Sequence, residues 1–375
     1  MSRKVAILGT RGYPSFYGGF ETAVRFIAPH LADQGWDVTV YGRPHSITHN
    51  YPYRDARVRS KLTFGLEKKS ASTLSYGLTS IVHTAFKKPE IALIMNVANG
   101  FWLPILKIRK VPTVVNVDGI EWKRDKWGKV AKWIFLQGAR MTAKYADTLI
   151  SDSVEIQRIW REDFGRESHY VPYGGTPGQG RAVPAELRSR GYILVVARFV
   201  PENSILEFLD AASELGQRWP VVIVGSSGYS GPIEDRVKHL AATLPLVTWL
   251  GHLNDDEKLN SLWEHAGAYF HGHSVGGTNP ALVQAMACGA PVVARDTPYN
   301  REVLGPAGVL VEPNVAEIVR AIDDLMTDQA RQAELSRTAT AEAVRRFDWN
   351  SIVRSYETLL ENGMRKSSTS GGALA

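Results

Sequence analysis

The sequence predicts an α/β protein of two doubly wound parallel-sheet domains facing a central cleft. Three observations predict it. Its 375 residues exceed what one hydrophobic core usually supports. Short buried-strand patterns alternate with helical ones through both halves, as in successive βαβ units. Midway, the stretch 173–180 packs four glycines and a proline into eight residues, and the alternation then restarts.

In the first half, residues 4–9 read as a buried parallel strand that ends in glycine. A glycine-rich loop follows to Gly19, then a helix with an apolar stripe at Val24, Phe26, Ile27 and Leu31. Further strands are expected at 37–41, 91–95, 113–117 and 148–150, and the Trp-rich stretch 122–146 reads as a loop leading into a helix. In the second half strands are expected at 192–197, 221–225, 247–250, 268–271, 291–294 and 309–312. Helices are expected at about 204–216, 233–242, 255–266, 280–287, 315–327 and 329–347. The domain expectation is therefore 1–175, a linker at 176–190, 191–348, a C-terminal helix 349–364 packing back toward the first domain, and a disordered tail 365–375.

Composition narrows the function classes. An apolar fraction of 44% with 22% charged residues is ordinary for a soluble enzyme. The N-terminus runs straight into a strand pattern, so no signal peptide is expected. No apolar stretch approaches the ~20 residues of a membrane span; the best, 100–106, is cut off by Lys107, Arg109 and Lys110. Cys288, the single cysteine, allows no internal disulfide and fits a reducing cytoplasm, where it reads as a small helix-packing residue. The net charge of +6 is uneven. Residues 1–180 carry 26 Lys and Arg against 15 Asp and Glu, a balance of +11, which leaves −5 for the rest. Such a split suggests an anionic partner for the first half. No nucleic-acid-binding module accompanies the charge, so nucleic acid is not expected. An anionic membrane surface at the inner face of the plasma membrane, or a lipid diphosphate, suits it; a solvated surface without partner is the alternative.

Ligands of doubly wound sheets bind in loops beyond the strand C-termini. Four such places stand out. The loop 9–19 lacks the G-x-G-x-x-G spacing, which disfavours a nicotinamide cofactor. Its Gly18 and Gly19 precede a helix whose free amides suit an anion, or else form a tight turn; Glu21 reads as a cap. Asp118, before a glycine at a strand end, is placed to touch a substrate hydroxyl or act as a base, or else forms an Asp-Gly turn. Arg198 follows the first strand of the second half and could fork onto a diphosphate, or else is a surface arginine. The densest place is 270–280. There Gly276 and Gly277 open a helix, and the amides of Gly277, Thr278 and Asn279 can cradle phosphate oxygens. His271 and His273 make a weak metal pair, so hydrogen bonding to substrate or backbone is the preferred reading and no metal is expected. Asp255 and Asp256 read as helix caps.

At this fourth place the sequence becomes recognisable. The run 285–294, Ala-Met-Ala-Cys-Gly-Ala-Pro-Val-Val-Ala, resembles the signature of retaining GT-B glycosyltransferases of family 4, and 198–202 resembles that family's arginine loop. Residues 9–22, 117–124 and 271–280 resemble a bacterial branch containing rhamnosyltransferases of surface-polysaccharide assembly. The resemblance implies two Rossmann-like domains, a nucleotide-diphosphate sugar as co-substrate, and no metal or other cofactor. It further implies a saccharide or lipid-linked saccharide acceptor on the first domain. The family's two glutamates fall here on Gly276 and Gln284, its lysine on Asn203, and a histidine of many relatives on Asp118. Arg198 and the 277–279 amides would then stabilise the diphosphate, with Asn203, His273 and Gln284 around the donor. A neutral Gln284 at the ribose-binding position points to a deoxynucleotide, dTDP-rhamnose. The alternatives are an epimerase or hydrolase of the same fold, or a catalytically degenerate nucleotide-sugar-binding subunit.

Overall fold

A computed structural model describes residues 3–16, 18–44, 46–47, 54–66, 69–124, 127–228 and 231–371. Tyr17, within the glycine-rich loop, lies outside the described residues. The chain divides into two compact units, Met1–Tyr173 with Trp349–Ala375, and Gly174–Asp348.

The first unit runs β1 (Lys4–Leu8), α1 (Gly19–Asp33), β2 (Asp37–Gly42), β3 (Arg59–Leu62), α2 (Lys69–Lys87), β4 (Ile91–Met95), α3 (Leu103–Ile108), β5 (Thr113–Asn116), α4 (Lys129–Tyr145), β6 (Thr148–Ser151), α5 (Val154–Phe164) and β7 (His169–Tyr170). All strands are parallel, in the order β3-β2-β1-β4-β5-β6-β7, so the winding reverses between β1 and β4. The aliphatic runs KVAIL and IALIM supply these central strands because both sheet faces are covered. From α1, Val24, Ile27, Ala28 and Leu31 join the core with Ile7, Val38 and Leu93. Phe26 does not: it sits on the rim and stacks on Trp349, with ring centroids 4.1 Å apart.

The C-terminal helix, Trp349–Gly371, buries Ile352, Val353, Tyr356 and Leu360 in the same core. The tail expected from 365 is therefore helical backbone as far as Gly371, and 372–375 lie outside the described residues. Once packed turns have formed, each further residue adds a hydrogen bond at little nucleation cost. That is how Lys-Ser-Ser-Thr-Ser continues a helix which its composition argues against.

The second unit runs β8 (Ile193–Val196), α6 (Ile205–Leu215), β9 (Val221–Val224), α7 (Pro232–Thr243), β10 (Val247–Trp249), α8 (Asp256–His265), β11 (Ala268–His271), α9 (Pro280–Ala287), β12 (Val292–Arg295), α10 (Pro298–Leu304), β13 (Gly308–Val311), α11 (Val315–Thr327) and α12 (Gln329–Arg346). Its six parallel strands lie in the order β10-β9-β8-β11-β12-β13, with the switch between β8 and β11. One face carries a core around Phe208, Phe270 and Ile322, the other a core around Tyr269, Leu282 and Met286.

The stretch expected to be a linker is fastened to this unit. Gly175 N–H donates to Phe347 O at 2.9 Å and Gly178 N–H to Ala287 O at 3.1 Å. A Cβ at Gly175 would meet Ala287 Cβ at 2.7 Å, so only glycine lets the chain run this close to α9. Arg181 is clasped by Glu257 and Glu264, with its side chain only 10% exposed.

Candidate active site

In the second unit, two loops at the switch point are joined by hydrogen bonds. The first leaves β8 through Ala197 and Arg198 and makes a 3-10 turn at Pro201–Asn203. The second leaves β11 at His271 and runs to the start of α9. Ser274 N–H donates to Glu202 O at 2.9 Å, and Ser204 Oγ donates to Gly272 O at 3.0 Å. A Cβ at Gly272 would stand 2.2 Å from Asn203 O, which is why glycine occupies that place. Ser204 itself adopts a left-handed backbone, φ +49°, and its hydroxyl also accepts from Arg295 Nη1 at 3.0 Å. Asn300 Nδ2 donates to His273 O at 3.0 Å and Arg295 O at 2.8 Å, tying in the strand beside β11.

Arg198 stands exposed on this frame, and its guanidinium pairs with none of the described residues. Asn203, 4% exposed, spends its amide on Arg198 O at 2.9 Å. It thereby supports the arginine loop from beneath.

His271 is 1% exposed, accepts or donates at Tyr269 Oη over 3.1 Å, and stacks on His273 with centroids 4.4 Å apart. Burial pushes its pKa down to about 3, so the imidazole is neutral at physiological pH. Its Nε2 has no hydrogen-bond partner among the described residues. The described residues contain no group of three or more His, Cys, Asp or Glu arranged to hold a metal.

Gly276 bends the turn at φ +130°, after which Gly277 and Thr278 are buried. Asn279 caps α9 by accepting Ala281 N–H on Oδ1 at 3.0 Å, and Pro280 has no N–H to give. The free donors of this helix start are thus the amides before the proline, and no backbone bond takes those of Gly277 and Asn279 among the described residues.

Gln284 lies one helical turn further on but is already engaged. Its Oε1 accepts Thr176 N–H at 2.9 Å, its Nε2 donates to Thr176 O at 2.8 Å, and Cys288 Sγ lies 3.3 Å from that same nitrogen. The expected ribose contact is replaced by a clamp on the chain's own backbone. Cys288 is buried with its thiol pushed up to about 11, which fits a packing role.

In the first unit, Gly9 bends at φ +84° where a Cβ would meet Met95 O at 1.8 Å. Gly18 is extended and precedes α1 without a side-chain cap. Glu21 is not a cap for its own helix: its Oε1 accepts Arg11 N–H at 2.9 Å, holding the glycine-rich loop. Two residues beyond β5, Asp118 accepts from Tyr173 Oη at 2.8 Å, and its own N–H is taken by Asn116 Oδ1 at 2.9 Å. Asp152, 1% exposed and one residue beyond β6, lies beside the same Asp118 carboxyl. Burial raises the Asp118 pKa above the usual carboxylate range, against the Tyr173 bond and the Arg124 charge.

Asp152, Asn300 and Ser204 were not legible as site residues. Asp152 sits in a Ser-Asp-Ser that reads as a helix start, and the other two act on carbonyls distant in sequence.

Residues 181–342 match the family described as Glycosyl transferases group 1, and residues 2–176 match the Domain of unknown function (DUF1972). The O-antigen chain mannosyltransferase B of Escherichia coli is 28% identical over 227 residues, 57% of this chain and 58% of that protein, so the match spans little over half of the relative. The phosphatidyl-myo-inositol mannosyltransferase of Mycobacterium tuberculosis is 26% identical over 93% of this chain and 95% of its own. Among solved structures, sucrose-phosphate synthase from Thermosynechococcus elongatus has a TM-score of 0.78 at 19% identity, covering 96% of this chain and 98% of that one. At that identity the likeness is one of fold, and the fold is GT-B.

Proposed function

We propose that this chain, whose residues 181–342 are a group 1 glycosyl transferase domain, moves a hexosyl group from a nucleoside-diphosphate sugar to a saccharide or lipid-linked saccharide acceptor. One observation carries the reading. Arg198, without a side-chain partner among the described residues, stands on a loop hydrogen-bonded to the turn whose Gly277 and Asn279 amides are open. A guanidinium and unpaired amides held on one frame suit the negative charge that grows on a leaving diphosphate. Because the frame is pre-tied by Asn203, Ser204 and Asn300, little reorganisation accompanies charge development. Retention of anomeric configuration and independence from metal and cofactor belong to this proposal, as does acceptor binding by the first unit.

The finer donor reading, L-rhamnose from dTDP-rhamnose, is supported by the resemblance of 9–22, 117–124 and 271–280. Gln284 no longer supports it, since its carboxamide is spent on Thr176. The likeness to the mannosyltransferases of Escherichia coli and Mycobacterium tuberculosis favours a second reading, mannosyl transfer. Calorimetry with dTDP, UDP, GDP and CDP, followed by mass spectrometry of acceptor mixtures given each hexose donor, decides among them. Binding of one nucleoside diphosphate together with a mass gain of one hexosyl or deoxyhexosyl unit is expected. Free sugar isomers, or nucleotide release without any modified acceptor, would overturn transfer.

A further inference from the structure

The ends of three neighbouring strands of the second unit, β8, β11 and β12, meet at one hydroxyl. β11 lies between the other two and pairs with both. Ser204, on the loop from β8, donates its single hydroxyl proton to Gly272 O just beyond β11. It is therefore left only to accept from Nη1 of Arg295, the last residue of β12. Both contacts measure 3.0 Å. The guanidinium thus sits no more than two hydrogen-bond lengths from the first residue of the turn that carries the open Gly277 and Asn279 amides. Asn300 Nδ2, bonded to Arg295 O and His273 O together, ties the arginine backbone to the same turn. Ser204 holds a left-handed backbone, φ +49°, where glycine would rest without strain. Glycine would also leave Gly272 O and the guanidinium without their hydroxyl, so the strained serine fixes where the Arg295 head stands.

That head has charge to spare. Arg295 is half-buried, and among the described residues its guanidinium bonds to Ser204 Oγ and to no carboxylate. Asp296, next in sequence, has both carboxylate oxygens on Arg301. Glu202, the acid of the 3-10 turn, forms an ion pair with neither Arg295 nor Arg198 among the described residues. A guanidinium presents five N–H donors, and such groups do not escape burial by shedding a proton. Two of them on one frame, neither ion-paired among the described residues, leave positive charge where unbonded amides already favour an anion.

We propose that Arg295 is the second cation of the donor site: held at Nη1 by Ser204, it turns its remaining N–H edge to the diphosphate that Arg198 also meets. The second phosphate is what Arg295 recognises, so it sets the preference for a nucleoside diphosphate over the corresponding monophosphate. This assignment rests on the sugar-transfer reading above, which supplies the diphosphate. Arg295 makes and breaks no bond; it is a binding residue, and its charge is in place before the ligand arrives.

Calorimetry on the full chain with UDP, GDP, dTDP and CDP, each beside its monophosphate, is the test. Arg295→Gln, which keeps a neutral donor for Ser204, should weaken binding of the preferred diphosphate about tenfold or more and of its monophosphate less than about threefold. Arg295→Lys keeps the charge without the fork and should fall between the two. Melting temperatures of both variants should stay close to that of the unmodified chain. Ser204→Gly relieves the backbone and should still weaken the diphosphate, because it unpins Arg295. If Arg295 is only a brace, Arg295→Gln lowers the melting temperature and weakens both nucleotides alike. That result, or unchanged diphosphate affinity in Arg295→Gln and Arg295→Lys, overturns the assignment and leaves the sugar-transfer reading standing. If the unmodified chain binds none of the four diphosphates, the sugar-transfer reading itself falls, and Arg295 with it.

Discussion

The Gln284 side chain holds the backbone of Thr176 in both directions, accepting its N–H at 2.9 Å and donating to its carbonyl at 2.8 Å. Helix α9 is thereby riveted to the strand of chain that enters the second unit. Gln284→Glu keeps the accepting oxygen but sets a carboxylate oxygen against Thr176 O. The variant should lose about 1–3 kcal/mol of unfolding free energy, the scale of a broken and then repelled polar contact. Denaturant unfolding measures it. A variant of unchanged stability that binds UDP tighter relative to dTDP would return Gln284 to the donor.

Arg198 has the opposite profile, exposed and without a partner among the described residues. Arg198→Ala should leave the melting temperature within error and cost ~2–4 kcal/mol of transition-state stabilisation, the scale of one lost electrostatic donor. Steady-state kcat/KM reads the second and a thermal scan the first. Unchanged kcat/KM removes Arg198 from the site.

Asn203→Ala probes the same loop from beneath. It removes one of two donors to the Arg198 carbonyl, the buried amide at 2.9 Å, and leaves the other, Val200 N–H, also at 2.9 Å. Stability should fall by about 0.5–1.5 kcal/mol, the net worth of one hydrogen bond, and kcat/KM should fall with it, because the loop loses a side-chain anchor. If Asn203 instead touched the diphosphate, donor affinity would drop while stability stayed put, and calorimetry beside a thermal scan tells these apart.

What the sequence discloses follows from what each residue touches. The strands KVAIL and IALIM are legible because both of their faces are buried, which writes an unbroken aliphatic run. β3, reading RSKL, pairs only with β2 at the sheet edge and is mostly exposed, so no apolar signal marks it. β7 has two exposed residues and is equally silent. Asp118 and Arg198 could be placed because each follows a legible strand. Asn300 and Ser204 could not, since their work is done on His273 O and Gly272 O, 27 and 68 positions away. Gln284 was placed correctly on its helix, but the chain it grips, 108 residues earlier, is visible only in the fold.

Buried His271 makes stability depend on pH. The unfolded chain takes up this proton near 6.5, the native site only near about 3. Between those values the unfolded state holds more protons, so stability rises with pH there and is lost as pH falls from about 6.5. One proton corresponds to a slope approaching 1.4 kcal/mol per pH unit at mid-window, as an order-of-magnitude figure. His271→Phe keeps a ring to stack on His273 and removes the titrating group. Unfolding free energies at about pH 7, 6 and 5 should show a shallower slope in the variant by roughly that amount. Parallel slopes would mean that His271 takes up its proton in the native state.

The basic first unit should bind anionic membranes from their surface. No helix among the described residues is long and apolar enough to cross one. What the unit does expose is a set of large apolar side chains, each next to a cation. Phe86, 78% exposed, adjoins Lys87; Ile108, 81%, lies between Lys107 and Arg109; Val130, 74%, adjoins Lys129; and Trp133, 62%, adjoins Lys132. Apolar tips flanked by lysine and arginine suit an interface in which rings enter the headgroup layer and cations remain at the phosphates. Each basic residue near such a surface contributes about 1 kcal/mol, within a Debye length of roughly 10 Å at 0.1 M salt. Sedimentation with vesicles of anionic and of neutral lipid is the measurement. Binding should favour the anionic vesicles at low salt and weaken as salt is raised, and Trp133→Ser with Phe86→Ser should weaken it at every salt concentration. Equal partitioning onto both vesicle types at low salt would rule out charge as the attraction and leave the +11 balance of residues 1–180 as a solvated surface.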